Sequence, residues 1–145
     1  MKSRKIKLTI TGCQGRMGQQ LIKSAKKDNR FKIISVTENK IYRKKISGLL
    51  PKLNGEEAFK KTDVIIDFTI PKCTLEVLKF AVKQKKRLII GTTGFSKKEE
   101  GIIKNFSNKI PILKAGNMSL GINLLMYLTE ITSKTLGNNF QSKIF

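Results

Sequence analysis

The segment of this chain best equipped for chemistry is Gly12-Cys13-Gln14-Gly15-Arg16-Met17-Gly18. Glycines let a backbone approach a ligand closely, and an opening helix offers free N–H groups and a dipole that favour negative charge. Such a turn cradles a pyrophosphate. Glu38 lies 20 residues after Gly18, where a dinucleotide site needs an acceptor for an adenosine ribose hydroxyl. The G-x-x-G-x-x-G spacing is one residue looser than the commonest dinucleotide pattern. An ordinary tight strand-to-helix turn is the competing reading. The flanking pattern and the placed acid favour the dinucleotide.

Three further segments combine small residues with hydroxyls or amides: Asp67-Phe68-Thr69, Gly91-Thr92-Thr93-Gly94 and Ala115-Gly116-Asn117-Met118-Ser119. Each has a plain alternative, because Thr, Ser, Asn and Asp also cap helices. Asp67 is a candidate acid or an acceptor for nearby backbone N–H groups. Asn117 holds a cofactor amide or orders its loop. Cys13 is a reactive thiol or, better favoured, an inert filler of the glycine turn. Met118 packs on a ring or fills core. The chain has no histidine, the usual proton donor near neutral pH, and no lysine is marked out for that task.

The elements that must position these groups read as alternating strands and helices. Ile6, Leu8 and Ile10 alternate with Lys7 and Thr9, a strand with period two. Met17, Leu21, Ile22 and Ala25 share one helical face. Phe31 to Thr37 reads as the second strand. Residues 39–55 are polar and poorly periodic, with Gly48, Pro51 and Gly55 as breakers. A short helix is expected over Glu56 to Lys60, then a buried strand over Val64 to Phe68. Pro71 suits the first turn of a helix whose apolar stripe is Leu75, Leu78, Ala81 and Val82. Leu88 to Ile90 is the next strand. Ser96 with Glu99 forms a capping-box pattern. Ile110, Ile112 and Leu113 suggest a strand that Pro111 marks as a beginning or an edge. A helix from about Leu120 to Leu136 ends at Gly137, and Asn138 to Phe145 reads as the start of a new strand. The pattern predicts an α/β fold with a doubly wound, Rossmann-like parallel sheet. Ligands of such sheets bind outside the carboxyl ends of the strands.

Composition narrows the classes. The 145 residues are 39% hydrophobic and 28% charged, enough for one core. No apolar run approaches the ~18 residues of a membrane span, and the basic start (Lys2, Arg4, Lys5) lacks the apolar stretch of a signal peptide. Cys13 and Cys73 suggest neither a disulfide framework nor a metal site, so a reducing cytoplasm is expected. The net charge of +20 raises nucleic-acid binding as a rival. Lysine supplies 25 of the 30 basic residues, isoleucine outnumbers valine 19 to four, and the charges are spread along the chain. With two Tyr and no Trp to stack on bases, background composition explains the charge better than a specific nucleic-acid partner.

The glycine segment, Val64-Ile65-Ile66-Asp67-Phe68-Thr69, Ile90-Gly91-Thr92-Thr93-Gly94-Phe95 and Asn117-Met118-Ser119-Leu120-Gly121-Ile122-Asn123 occur in this order. Together they resemble the dihydrodipicolinate (4-hydroxy-tetrahydrodipicolinate) reductases of lysine and diaminopimelate biosynthesis, over nearly the whole chain. The resemblance implies an oxidoreductase that uses NADH or NADPH to reduce a small dicarboxylate. It assigns cofactor contacts to Gly12, Cys13, Gln14, Gly15, Arg16 and Met17, to Glu38 at the adenosine ribose, and to Gly91, Thr92 and Thr93. Ala115, Gly116, Asn117 and Met118 would lie near the nicotinamide, and Thr93 would also approach the substrate carboxylate.

Departures from the pattern shape the expectation. Asn39 stands where many members have an arginine suited to a 2′-phosphate, with Lys40 and Arg43 as candidate replacements, so the cofactor preference stays open. Met118 replaces a usual phenylalanine. Members continue into a second α+β domain with a histidine pair, a lysine and Asp-Ala-Pro-Ser-Gly-Thr, which supplies the general acid and most of a homotetramer interface. Here residues 1–137 are expected to form the dinucleotide-binding domain and 138–145 the start of that second domain. The expected catalytic His and Lys lie beyond Phe145, so no catalytic residue and no metal ligand is assigned. A 145-residue chain of this kind is expected to be inactive by itself and marginally folded. A non-catalytic NAD(P)-binding module or a decaying remnant are the alternatives.

Overall fold

Six parallel strands form one sheet in the order β3-β2-β1-β4-β5-β6. The computed structural model describes residues 4–141 and 143. The strands are β1 (Ile6–Thr11), β2 (Phe31–Glu38), β3 (Lys52–Leu53), β4 (Val64–Asp67), β5 (Arg87–Ile90) and β6 (Ile112–Lys114). The helices are α1 (Arg16–Lys27), α2 (Glu56–Phe59), α3 (Pro71–Lys83), α4 (Lys97–Ser107) and α5 (Leu120–Leu136). This strand order reverses direction between β1 and β4, which is the doubly wound arrangement.

Alternation along β1 shows why both faces are covered. Thr9 is buried on the face of α2, where its hydroxyl bonds the Ala58 carbonyl oxygen at 3.4 Å. Ile10, one residue on, is buried on the opposite face in a cluster with Cys13, Ile22 and Val36. The larger cluster joins α2, β4, α3, β5 and α4 through Phe59, Ile65, Val77, Leu78, Leu88, Ile90 and Ile103. Each such side chain, fully buried, stabilises the fold by roughly 1.5–3 kcal/mol.

Local signals match these elements. Pro71 occupies the first turn of α3. Ser96 and Glu99 complete the capping box of α4, the Glu99 carboxylate accepting the Ser96 N–H at 2.8 Å. That bond holds the Glu99 carboxyl below its ordinary range. β6 is an edge strand preceded by Pro111, as a residue without a ladder donor requires.

Three local expectations need correction. Within the aperiodic stretch 39–55, Lys52 and Leu53 form β3, which pairs in parallel with Thr37 and Glu38. Met17 is 47% exposed rather than on the inner face of α1, because Gly18 and Ile22, one turn apart, take the inward positions. The proposed strand after Gly137 begins instead as a 3₁₀ turn, Gly137–Asn139. Residues 142, 144 and 145 of that strand lie outside the described residues.

The chain divides into two compact units, Met1–Lys114 and Ala115–Phe145. The first contains the sheet. The second contains α5, capped by Ser119 and ended by Gly137 at φ +64°. Among the described residues no helix is long and apolar enough to cross a membrane, and no cluster of three His, Cys, Asp or Glu could hold a metal ion.

Candidate functional site

Because the strands are parallel, the carboxyl ends of β1, β4 and β5 lie on one edge of the sheet. Gly12 leaves β1 with φ +58°, a left-handed conformation that glycine adopts without strain. A Cβ there would also lie 2.7 Å from the Thr69 methyl group. The turn closes with the Gly15 N–H on the Gly12 carbonyl oxygen at 3.0 Å. The helical ladder then starts with the Gln19 N–H on the Gly15 carbonyl oxygen at 3.0 Å. A Cβ on Gly18 would lie 2.1 Å from the Gly12 carbonyl oxygen. The third glycine therefore lets α1 press against the turn, and the helix start faces the rim without a side-chain cap. Bare backbone and a helix N-terminus are what a pyrophosphate needs.

Glu38, at the end of β2, is tied to this turn. Its Oε1 accepts the Gln14 backbone N–H at 2.7 Å, while the Cys13 N–H donates to the Thr37 carbonyl oxygen at 3.1 Å. Burial, reinforced by the Glu38 charge, pushes the Cys13 thiol up to about 12. Cys13 is fully buried within the glycine turn.

A cleft of about 480 Å³ opens between the β1 and β4 ends, where the strand order reverses. Gly12, Gly15 and Glu38 line one side, Phe68, Thr69 and Cys73 the other. Asn54, immediately after β3, closes the far end. Its Oδ1 accepts the Thr37 hydroxyl at 2.7 Å and its amide donates to the Cys73 sulfur at 3.3 Å. Burial raises the Cys73 thiol above its ordinary range. Sequence reasoning missed Asn54, whose only signal was the Asn54-Gly55 turn pair.

Asp67, completely buried, is the knot beneath the cleft. Its Oδ1 accepts the Thr11 hydroxyl at 2.5 Å and the Thr69 hydroxyl at 2.7 Å. Thr92 reaches its Oδ2 at 3.5 Å and accepts the Thr69 N–H at 2.9 Å. The partners of Asp67 are thus threonine hydroxyls of three rim segments, where the sequence offered either a functional acid or an acceptor for backbone N–H groups. Gly91 gives room for the Phe68 ring, since a Cβ there would lie 2.1 Å from it. Gly91, Thr92 and Thr93 do not line the cleft; Gly91 and buried Thr92 touch its wall through Phe68 and Thr69, and Thr93 is exposed.

Gln14, Arg16 and Met17 are exposed on the turn. Ala115, Gly116, Asn117 and Met118 belong to the second unit. There the Asn117 Oδ1 accepts the Ser119 N–H at 2.9 Å, and its amide donates to the Asn123 Oδ1 at 2.9 Å. Asn117 therefore orders the start of α5.

Comparison with known proteins places this geometry. Residues 6–118 match the family described as "Dihydrodipicolinate reductase, N-terminus". The 4-hydroxy-tetrahydrodipicolinate reductase of Pelagibacter ubique is 65% identical over 142 residues, covering 98% of this chain and 55% of that protein. The enzyme of the same name from Buchnera aphidicola of Cinara cedri is 36% identical over 97% of this chain and 56% of its own length. The chain spans about half the length of the curated relatives it matches. Among solved structures, the dipicolinate-bound dihydrodipicolinate reductase of Paenisporosarcina sp. TG-14 superposes with a TM-score of 0.69 at 23% identity, covering 90% of this chain and 54% of that one. A Rex-family repressor superposes at 0.66 with 11% identity, over 94% of this chain and 64% of that one. At those identities the likeness is one of fold.

Proposed function

The chain belongs to the dihydrodipicolinate reductase family, and from that premise we propose that its 145 residues are the NAD(P)H-binding portion of a 4-hydroxy-tetrahydrodipicolinate reductase. The observation that carries the reading is the cleft in which Gly12, Gly15 and Glu38 face Phe68, Thr69 and Cys73 across the β1–β4 gap. Gly12 to Met17 hold the pyrophosphate by backbone N–H groups. Glu38, one oxygen committed to Gln14, offers the other to an adenosine ribose hydroxyl. Gly91 and Thr92 brace the rim, and Thr93 meets cofactor and substrate carboxylate. Ala115 to Met118 serve the nicotinamide end. The bound dinucleotide supplies a hydride; this chain's residues bind and orient.

In the same reading, residues 1–137 are the nucleotide domain and 138–145 begin the next. The whole reductase acts in the cytoplasm, as a homotetramer, on a small dicarboxylate in lysine biosynthesis. Either NADH or NADPH fits the reading, since Asn39 follows Glu38 and cations stand nearby at Lys40 and Arg43.

Titration of NADH and of NADPH into the purified chain, followed by nucleotide fluorescence, tests this. Saturable binding of at least one is expected, lost in Gly12→Val. Absence of binding by both overturns the proposal and favours a remnant. A turnover assay on the same sample separates binding module from enzyme: with no histidine present, binding without reduction is the expected outcome.

A further inference from the structure

The cleft at the glycine turn is laid out in the order of a dinucleotide's parts. β1, β2 and β3 are parallel neighbours with their carboxyl ends on one edge, each about 5 Å from the next. The glycine turn follows β1, Glu38 ends β2, and Asn54 follows Leu53, the residue paired with Glu38. In a dinucleotide, pyrophosphate, ribose and base succeed one another in the same way. With pyrophosphate at the turn and ribose at Glu38, the base comes next, at Asn54.

Asn54 is half-buried and lines this end of the cleft. Its carboxamide is held from both sides: Oδ1 accepts the Thr37 hydroxyl at 2.7 Å, and the amide donates to the Cys73 sulfur at 3.3 Å. A carboxamide has two acceptor sites and two N–H donors, so one acceptor site and one N–H are uncommitted. Asn39 lines the same cleft but is exposed; Asn54 is the amide whose orientation is fixed by its neighbours. Across the cleft, Phe68 and Ile70 give an apolar wall for a flat ring. Ile70 is 60% exposed, and a base laid on it covers that surface.

A spare N–H beside a spare carbonyl site complements adenine, whose 6-amino group donates next to a ring nitrogen that accepts. On the NAD(P)H-binding reading, from which this assignment follows, we infer that Asn54 is the residue that reads the adenine base. Its amide donates to the ring nitrogen, and Oδ1 accepts the 6-amino group. Thr37 and Cys73 hold the amide in the orientation that makes the pair, and Ile70 covers the face of the ring.

The test is a fluorescence titration of the 145-residue chain with NADH and with NADPH, each beside its hypoxanthine analogue. The analogue replaces the 6-amino donor with a carbonyl oxygen and leaves ribose, pyrophosphate and nicotinamide unchanged. Whichever cofactor binds should do so about tenfold more tightly than its analogue, the usual discrimination of a two-point amide–base pair. Asn54→Ala should lose about that factor for the adenine cofactor and little for the analogue, so that the two bind alike. Asn54→Ser carries the same expectation if the alanine variant does not fold. Equal affinity of the parent for cofactor and analogue overturns the assignment and leaves the dinucleotide site standing. A tenfold preference that survives in a folded Asn54 variant overturns it as well. Binding of neither NADH nor NADPH overturns the dinucleotide site itself, and the assignment with it.

Discussion

The Glu38 carboxylate accepts the Gln14 backbone N–H at 2.7 Å and so joins the end of β2 to the glycine turn. One carboxylate thereby shapes the turn and presents a second oxygen to the cleft. Glu38→Ala should weaken NADH binding about tenfold or more, since a hydrogen bond to a charged group is worth ~1.5–3 kcal/mol. NADPH should lose less, because the variant also removes a negative charge that opposes its 2′-phosphate. Parallel fluorescence titrations measure both; an equal loss would contradict this role.

Glycine replacements should have opposite signs at two helical positions. Gly18→Ala puts a Cβ 2.1 Å from the Gly12 carbonyl oxygen, and overpacking against backbone costs roughly 1–3 kcal/mol. Gly101 in α4 has open space around it, and alanine there should add about 0.5–1 kcal/mol through helix propensity. Thermal melts of the two variants should therefore shift in opposite directions.

Asp67→Ala should destabilise the fold by about 2–4 kcal/mol, since it leaves the hydroxyls of Thr11, Thr69 and Thr92 without their shared acceptor. Urea unfolding measures the loss. Unchanged stability would show that these three rim segments hold together without the carboxylate.

Cys13 gives the protein an alkaline weakness. Its thiol is raised from 9.0 to about 12 by burial and by Glu38. Between those values the unfolded chain has released the proton and the folded chain retains it. Stability from this group is complete below pH 9 and is lost as pH rises toward 12. Cys13→Ala should flatten the stability profile above pH 9, and native Cys13 should resist alkylation at pH 8 until the chain is unfolded.

Much of this was legible in the chain itself. Alternation in Ile6 to Ile10, the Pro71 start and the Ser96–Glu99 box each depend on near neighbours, and each appears where expected. The glycine turn was legible because close approach leaves only one residue type. β3 was not, because two residues carry no period and owe their conformation to Thr37 and Glu38 alongside. Asn54 and the Asp67 knot were hidden for the same reason: hydroxyl and amide contacts across many residues leave no pattern in one dimension. The slip that sets Ser35 opposite Thr9 while Leu8 faces Ile33 is a register shift, which only the partner strand reveals.

The adjacency of β1 and β4 makes one seam of the first unit depend on distant parts of the chain. Leu8 lies against Val64, Thr9 against Ile65 and Ile10 against Ile66, and the whole α1-β2-β3-α2 stretch intervenes. No local hairpin can nucleate this seam. The chain must close that long loop, at an entropic cost that near-neighbour contacts do not offset, before the β1–β2–β3 half of the sheet joins β4. A ribosome must therefore deliver β4 before the nascent glycine turn acquires its opposite wall.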